Sequence, residues 1–277
     1  MRYFRILSLD VALGACVMTY FFSYYFGQMT NWAYYVSLGL TVWLIYTLDH
    51  LLDARKIPHQ AHTPRHRFHQ AYYWQIFTLW TIVFLLTGFL SFQLLTYTTL
   101  VYGLFLCILV GIHFLLGKIH ILHRLFFFQK EIRIALVYGL GVALAPFSLS
   151  QQVQLIPFLL LLIQVILMAS VNLLIISYYE AETDKKDHHQ SIVTLFGEEI
   201  VQRLAYLFIL LVLLIGIILA ILLWNKKVFL TECILVLMIL SLYTVLKIPH
   251  YFKNHERYRI WSDSVFFYPL LLLVFNF

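Results

Sequence analysis

Residues 32–56 read WAYYVSLGLTVWLIYTLDHLLDARK, an apolar run of membrane-spanning length that ends in two aspartates, an arginine and a lysine. Asp49 and Asp53 stand four apart, so on a helix both side chains lie on one face. A carboxylate costs roughly 2.5–3.5 kcal/mol at the centre of a spanning helix and less toward its ends. Two of them at the edge of hydrocarbon therefore call for cations nearby.

The rest of the chain has the same solvent. It is 62% hydrophobic and 12% charged, with a mean hydropathy of +0.85. Soluble domains average about 45–50% apolar and about 25% charged, so this composition belongs in a bilayer. A span needs roughly 20 apolar residues. Nine such runs occur, over 5–27, 32–53, 72–92, 97–117, 131–149, 154–179, 201–223, 228–247 and 260–276. The expected fold class is all-α: a polytopic membrane protein of nine transmembrane helices, forming one domain over 1–277. The first run, from about Ile6 to Phe26, is too long for a signal-peptide core and reads as a retained helix. Cys16, Cys107 and Cys233 sit in separate apolar runs without a CxxC pair and read as small core residues.

The connections alternate in character. QMTN (28–31), QLLT (93–96) and SQQVQ (150–154) are short and uncharged, whereas 54–71, 118–130, 180–203 and 248–259 are basic and rich in histidine. All of the 19 Lys and Arg except Lys226 and Lys227 fall on one face. The positive-inside rule then puts the N-terminus in the cytoplasm and, after nine spans, the C-terminus outside the cell inner membrane. The basic excess reads as topology and attraction to anionic lipid of the bilayer, with no nucleic-acid partner expected.

A second acidic cluster closes the sixth run: NLLIISYYEAETDKKDHHQSIVTLFG, 172–197. Glu180 and Asp184 repeat the spacing of Asp49 and Asp53, and runs two and six end on the same side. Four carboxylates facing one another need cations between them. Paired hard oxygens suit Mg²⁺, which takes one or two carboxylates and completes its shell from water and substrate phosphates. Arg55, Lys56, Lys130, Arg133, Lys185, Lys186 and Arg203 stand close enough in sequence to close over those phosphates. Acid pairs, apolar helices and a basic rim describe a site for a lipid diphosphate.

These motifs resemble the UbiA superfamily of intramembrane prenyltransferases. That family carries two acidic motifs, N-D-x-x-D-x-x-x-D and D-x-E-x-D, on its second and sixth helices. EAETD (180–184) matches the second with Glu180 for its first aspartate, Ser191-Ile192 fall where Thr-Leu would lie, and Gly197 falls on the motif's glycine. Asp49 and Asp53 match the end of the first, whose Asn-Asp is replaced by Ile45 and Tyr46; before the second motif, the corresponding Asn-Asp positions are Ile176 and Ser177. The chain thus looks like a divergent member with a reduced first motif. FQKEIRIALVYGLG (128–141) is similar to the family's basic entry to its fifth helix.

The resemblance implies Mg²⁺-dependent transfer of a prenyl group from a polyprenyl diphosphate to an unidentified acceptor. Asp49, Asp53, Glu180 and Asp184 are its expected metal ligands, and Lys130, Arg133, Arg55 and Lys185 its expected diphosphate contacts. A cation-like prenyl carbon would gain roughly 0.5–2 kcal/mol from an aromatic face. Tyr34, Tyr35, Trp43, Tyr46, Tyr138, Tyr178 and Tyr179 are candidates, and Tyr46, three residues from Asp49, is the first choice. Two other readings stay open: a non-catalytic relative binding isoprenoid diphosphate or a quinone-like lipid, and a small proton-coupled transporter.

The remaining features read more plainly. His59, His62, His66 and His69 have no acidic residue beside them and read as solvated or headgroup-facing rather than as a zinc site. Thr63-Pro64 reads as the start of a short helix, and with Arg65 and Arg67 the segment is a candidate lid. His188 and His189 are open to either reading. Asp10 and Asp263, inside the first and ninth runs, are expected to be structural. Gly139, Gly141 and Pro146 fit close helix contact and a kink.

Overall fold

A computed structural model describes residues 2–28, 30–57, 59–116, 129–187, 191–223 and 225–276, and every regular element among them is a helix. In chain order these are α1 (Arg2–Ile6), α2 (Leu9–Phe26), α3 (Trp32–Lys56), α4 (Pro64–Ala71), α5 (Tyr73–Leu94), α6 (Tyr97–Leu116) and α7 (Lys130–Leu149). There follow α8 (Leu155–Lys186), α9 (Ile192–Phe196), α10 (Glu198–Leu222), α11 (Lys226–Lys247), α12 (Pro249–Phe252) and α13 (Arg257–Ser264).

Eight helices (α2, α3, α5, α6, α7, α8, α10 and α11) are long and apolar enough to cross a membrane, against nine runs expected from the sequence. The chain is an integral membrane protein. Its last run is helical but divided: α13 gives way to a 3₁₀ helix over Val265–Asn276 that contains Pro269. Proline has no N–H to donate to an α-helical ladder. At about 2.0 Å per residue a 3₁₀ segment covers more distance than an α-helix of equal length.

Local chemistry sets the helix ends. Asn31 caps α3 by accepting from Ala33 N at 3.3 Å, and Asn225 caps α11 by accepting from Val228 N at 2.9 Å. Thr63 caps α4, accepting from His66 N at 3.3 Å, with Pro64 in the first turn as its sequence suggests. Gly27, at φ 65°, ends α2 in the left-handed conformation that glycine adopts without steric cost. Two helices outrun their apolar segments. α3 continues through Lys56 and α8 through Lys186, so both acid pairs remain on helix and keep a common face.

α8 runs through the middle of the bundle, burying Leu161, Met168, Leu174 and Ile175 completely or nearly so. α7 and α10 pack along it, and α2 packs on α3 and α7. α5 and α6 pack on α3 and α7 and leave most of their surface facing outward, apolar, toward lipid. Within α7, Pro146 cannot donate to the carbonyl four residues earlier, and Thr19 Oγ1 of α2 donates to that Val142 carbonyl at 3.0 Å.

Gly139 lets α7 approach α8 closely: a Cβ there would lie 2.4 Å from Ile166 Cγ1. At Gly141 the same atom would meet Leu106 and Leu38 at 3.6 and 3.9 Å, ordinary contact distances. Gly139→Ala is therefore expected to destabilise the bundle by about 1–3 kcal/mol, while Gly141→Ala is neutral or slightly stabilising through helix propensity. Thermal unfolding of the two variants in detergent checks the contrast.

Candidate functional site

Asp49 and Asp53 from α3 and Glu180 and Asp184 from α8 line one cavity of about 170 Å³. Two spans whose ends are far apart in sequence thus bring their acid pairs to the same opening. Each pair holds a cation from a third and fourth element. Lys130, the first residue of α7, places Nζ 2.9 Å from Asp49 Oδ2 and 2.6 Å from Asp53 Oδ2. Lys56 adds a contact to Asp53 Oδ1 at 2.9 Å. Arg259 of α13 pairs with Glu180, and Tyr258 donates its hydroxyl to Glu180 Oε1 at 3.0 Å. Tyr258 is itself held by stacking on Tyr179, ring centroids 4.6 Å apart. Burial works against the Arg259 charge, but Glu180 outweighs it and keeps the guanidinium well above its ordinary value.

The same cavity gathers polar groups that the sequence left apart. Asp10 of α2, Asp263 of α13, Asn172 of α8 and Arg65 of α4 all line it. Asn172 Nδ2 donates to Asp263 Oδ1 at 3.1 Å. Arg65 Nη1 lies 3.3 Å from His50 Nε2, which also meets Ser8 Oγ at 3.1 Å. Arg65 faces this interior, and desolvation, with Arg259 close by, lowers its guanidinium below the ordinary arginine value. Glu131 lines the cavity too, one oxygen accepting from Ile192 N at 2.9 Å and the other buried without a hydrogen bond among the described residues. Asp10 and Asp263, expected to be structural, both line the cavity, and acids within apolar runs are candidates for function by default.

Other expected site residues stand elsewhere. Arg55 is exposed over the ring of Tyr73 at 5.9 Å, and Lys185 is exposed on the outer side of α8. Arg133 donates from Nε to His113 Nδ1 at 3.2 Å and does not line the cavity. Helix geometry explains the first two. At about 100° per residue, neighbours one or two positions past an acid point away from it. Glu182 is likewise exposed, paired with Lys253 Nζ at 3.1 Å. His188, His189, Lys118 and Arg124 lie outside the described residues.

A second cavity of about 70 Å³ opens beside the first and shares Tyr46, Asp49, Ile134 and Tyr138 with it. It runs between α3, α6 and α7 past apolar side chains such as Leu38, Val42, Leu106 and Val110. Of the candidate aromatics, Tyr46 and Tyr138 line both spaces. Tyr179 instead donates its hydroxyl to Val245 O at 2.7 Å.

No family model matches the chain, and no curated protein matches it. Among solved structures it is similar to a UbiA homolog from Archaeoglobus fulgidus bound to DMAPP and Mg²⁺, with a TM-score of 0.64 and 10% identity over 99% of each chain. It is also similar to a UbiA homolog from the same organism bound to GPP and Mg²⁺, with a TM-score of 0.65, 12% identity and coverage of 99% and 100%. The fold is that of the UbiA homologues. In this UbiA-like bundle, Tyr46, Ile176 and Ser177 line the larger cavity and Ile45 the smaller. The positions where the sequence resemblance expects further Asn and Asp thus reach the site without a carboxylate.

Removing Lys130 would leave Asp49 and Asp53 without the cation that lies between them. Lys130→Met is expected to lose about 1–3 kcal/mol, less than a fully buried pair because the cavity admits water. Thermal unfolding of the variant and the wild type in detergent measures the loss.

Proposed function

We propose that the chain, one membrane domain over 1–277, is a UbiA-type prenyltransferase that transfers a prenyl group from a polyprenyl diphosphate to an acceptor in the bilayer. The observation that carries this reading is the joining of two spaces: a cavity ringed by paired carboxylates and cations, opening onto an apolar cavity between helices. A molecule with a diphosphate head and a hydrocarbon tail fits that division. The solved UbiA homologs with the same fold were bound to DMAPP or GPP with Mg²⁺, which supports the same ligand class here. The basic excess on the carboxylate side supports a cytoplasmic opening in the inner membrane, with the N-terminus cytoplasmic and the C-terminus outside.

The donor set suits the metal. Asp49, Asp53, Glu180 and Asp184 offer only hard carboxylate oxygens, and three of them already hold cations, Lys130 or Arg259. These four would hold Mg²⁺, which when bound offsets negative charge on the diphosphate. Lys130, Arg259 and Arg65 line the same space and would bind phosphate oxygens there. Stabilising charge that grows on the leaving diphosphate favours the transition state over the ground state. As the bond from prenyl carbon to diphosphate oxygen breaks, Tyr46 and Tyr138 present aromatic faces to the developing cation. The apolar walls keep water from it. The acceptor forms the new bond and loses a proton, for which Asp10 and Asp263, two cavity-lining carboxylates outside the acid pairs, are candidate acceptors.

Tyr46 and Ser177, in place of acids, favour one further reading, a relative that binds isoprenoid diphosphate without turnover. Diphosphate release from prenyl diphosphates of several lengths, with and without Mg²⁺, separates the two. Catalysis predicts Mg²⁺-dependent release that falls by at least about 10²-fold in Asp49→Ala and Asp184→Ala. Mg²⁺-dependent binding without release, with or without candidate acceptors, selects the binding protein. Loss of neither binding nor release in those variants rejects the site. Gly141→Leu, which fills the apolar cavity, is expected to shift the preferred substrate toward shorter prenyl chains in the same assay.

A further inference from the structure

The sequence shows no acid near the histidines that follow α3, but the fold supplies one. Asp187, at the C-terminal cap of α8, meets His59 and His62, and ligand atoms of all three lie within 4.8 Å of one another. Asp187 is buried, whereas the two imidazoles are open to solvent. His62 Nδ1 contacts Asp187 Oδ1 directly, and its backbone N–H points at both carboxylate oxygens at 3.4 and 3.3 Å.

The spacing is that of a metal edge. Ligand atoms about 2.0–2.1 Å from a tetrahedral Zn²⁺ stand about 3.3–3.4 Å apart, and His59 Nε2 is 3.4 Å from Asp187 Oδ1. The His62 ring sits closer, with about half of its side chain in solvent. Two imidazole nitrogens and one carboxylate oxygen form a borderline donor set, suited to Zn²⁺ and unlike the all-oxygen cavity.

The backbone that presents these histidines is held in place beforehand. Gln70 Nε2 donates to the carbonyls of Ala54, Ile57 and His59 at 3.1, 3.3 and 3.1 Å, while its Oε1 accepts from Ala61 N at 3.0 Å. Arg67 donates to the carbonyls of Ala61 and His62 at 3.2 and 3.3 Å. Outer contacts of this kind are what fix ligand orientation in metal sites.

We propose that His59, His62 and Asp187 form a binding site for a divalent transition-metal ion of the Zn²⁺ class, separate from the carboxylate cavity. Among the described residues three ligands meet here, and a tetrahedral ion would take a fourth from water or another donor. The ion ties the chain after α3 to the end of α8. Thr63 and Arg65, which follow at once, line the main cavity, so the metal also anchors that part of its wall. This assignment does not depend on the transferase reading.

The test uses full-length protein in detergent, purified without a polyhistidine tag, stripped with chelator and titrated with Co²⁺ in saturating Mg²⁺, which occupies the carboxylate cavity. The expected result is one Co²⁺ per chain with the intense visible absorption of a tetrahedral site, displaced by one equivalent of Zn²⁺ and not by Mg²⁺. Affinity should fall at least about tenfold in His59→Ala, His62→Ala and Asp187→Asn, and remain unchanged in Asp49→Asn. The histidine variants alter exposed side chains, so they decide the matter even if Asp187→Asn fails to fold. Equal affinity in a His59→Ala/His62→Ala double variant would overturn the assignment. So would bound Co²⁺ that Mg²⁺ displaces or that Asp49→Asn abolishes.

Discussion

The arrangement depends on carboxylates at a hydrocarbon edge being neutralised by cations from other helices. Two like charges about 4 Å apart interact by about 1 kcal/mol in water and about 4 kcal/mol at an effective dielectric of 20. α3 and α8 each bring such a pair to one opening. α7 contributes Lys130 to the first, and α13 contributes Arg259 to the second. Ion pairs of this kind add little net stability, because desolvation offsets most of their attraction, but breaking them is costly. Their effect is to fix which helices converge. Under the proposed function the same cations would also bind phosphate oxygens, so folding and ligand binding would compete for one set of charges.

Much of this was legible in the sequence because its signals are local. Apolar run length marked the spans, and four-residue spacing put Asp49 with Asp53 and Glu180 with Asp184 on common faces. Of the partners, Lys130 was among the basic residues expected at the site, but Arg259 was not, because pairing across the bundle leaves no local trace. Proximity in sequence favoured Arg55 and Lys185, yet helix rotation turns both outward, while Arg259 reaches Glu180 from the far end of the chain. Asp187 meets His59 and His62 for the same reason of tertiary placement. The last run was legible as apolar, but not its division into α and 3₁₀ segments.

The distribution of acid around the cavity differs from a simple two-motif site. Tyr46 and Ser177 reach it where further acids of the family-like motifs were looked for, and Asp10, Asp263 and Glu131 bring charge from other elements. The cavity is therefore polar on several sides, and an apolar cavity adjoins it in the gap between α3, α6 and α7. That asymmetry fixes a direction for an amphiphilic ligand without any contact specific to its identity.

Pro146 and Thr19 carry a consequence for assembly. Pro146 removes the donor that the carbonyl of Val142 would meet one turn on in its own helix, and Thr19 of α2 supplies one instead. Standing alone in lipid, α7 would hold an unsatisfied carbonyl where water cannot reach, which costs free energy until α2 docks. α2 precedes α7 in the chain and leaves the ribosome first. The hydroxyl that completes α7 is already in the membrane when α7 arrives, so a defect in one helix becomes a means of selecting its neighbour.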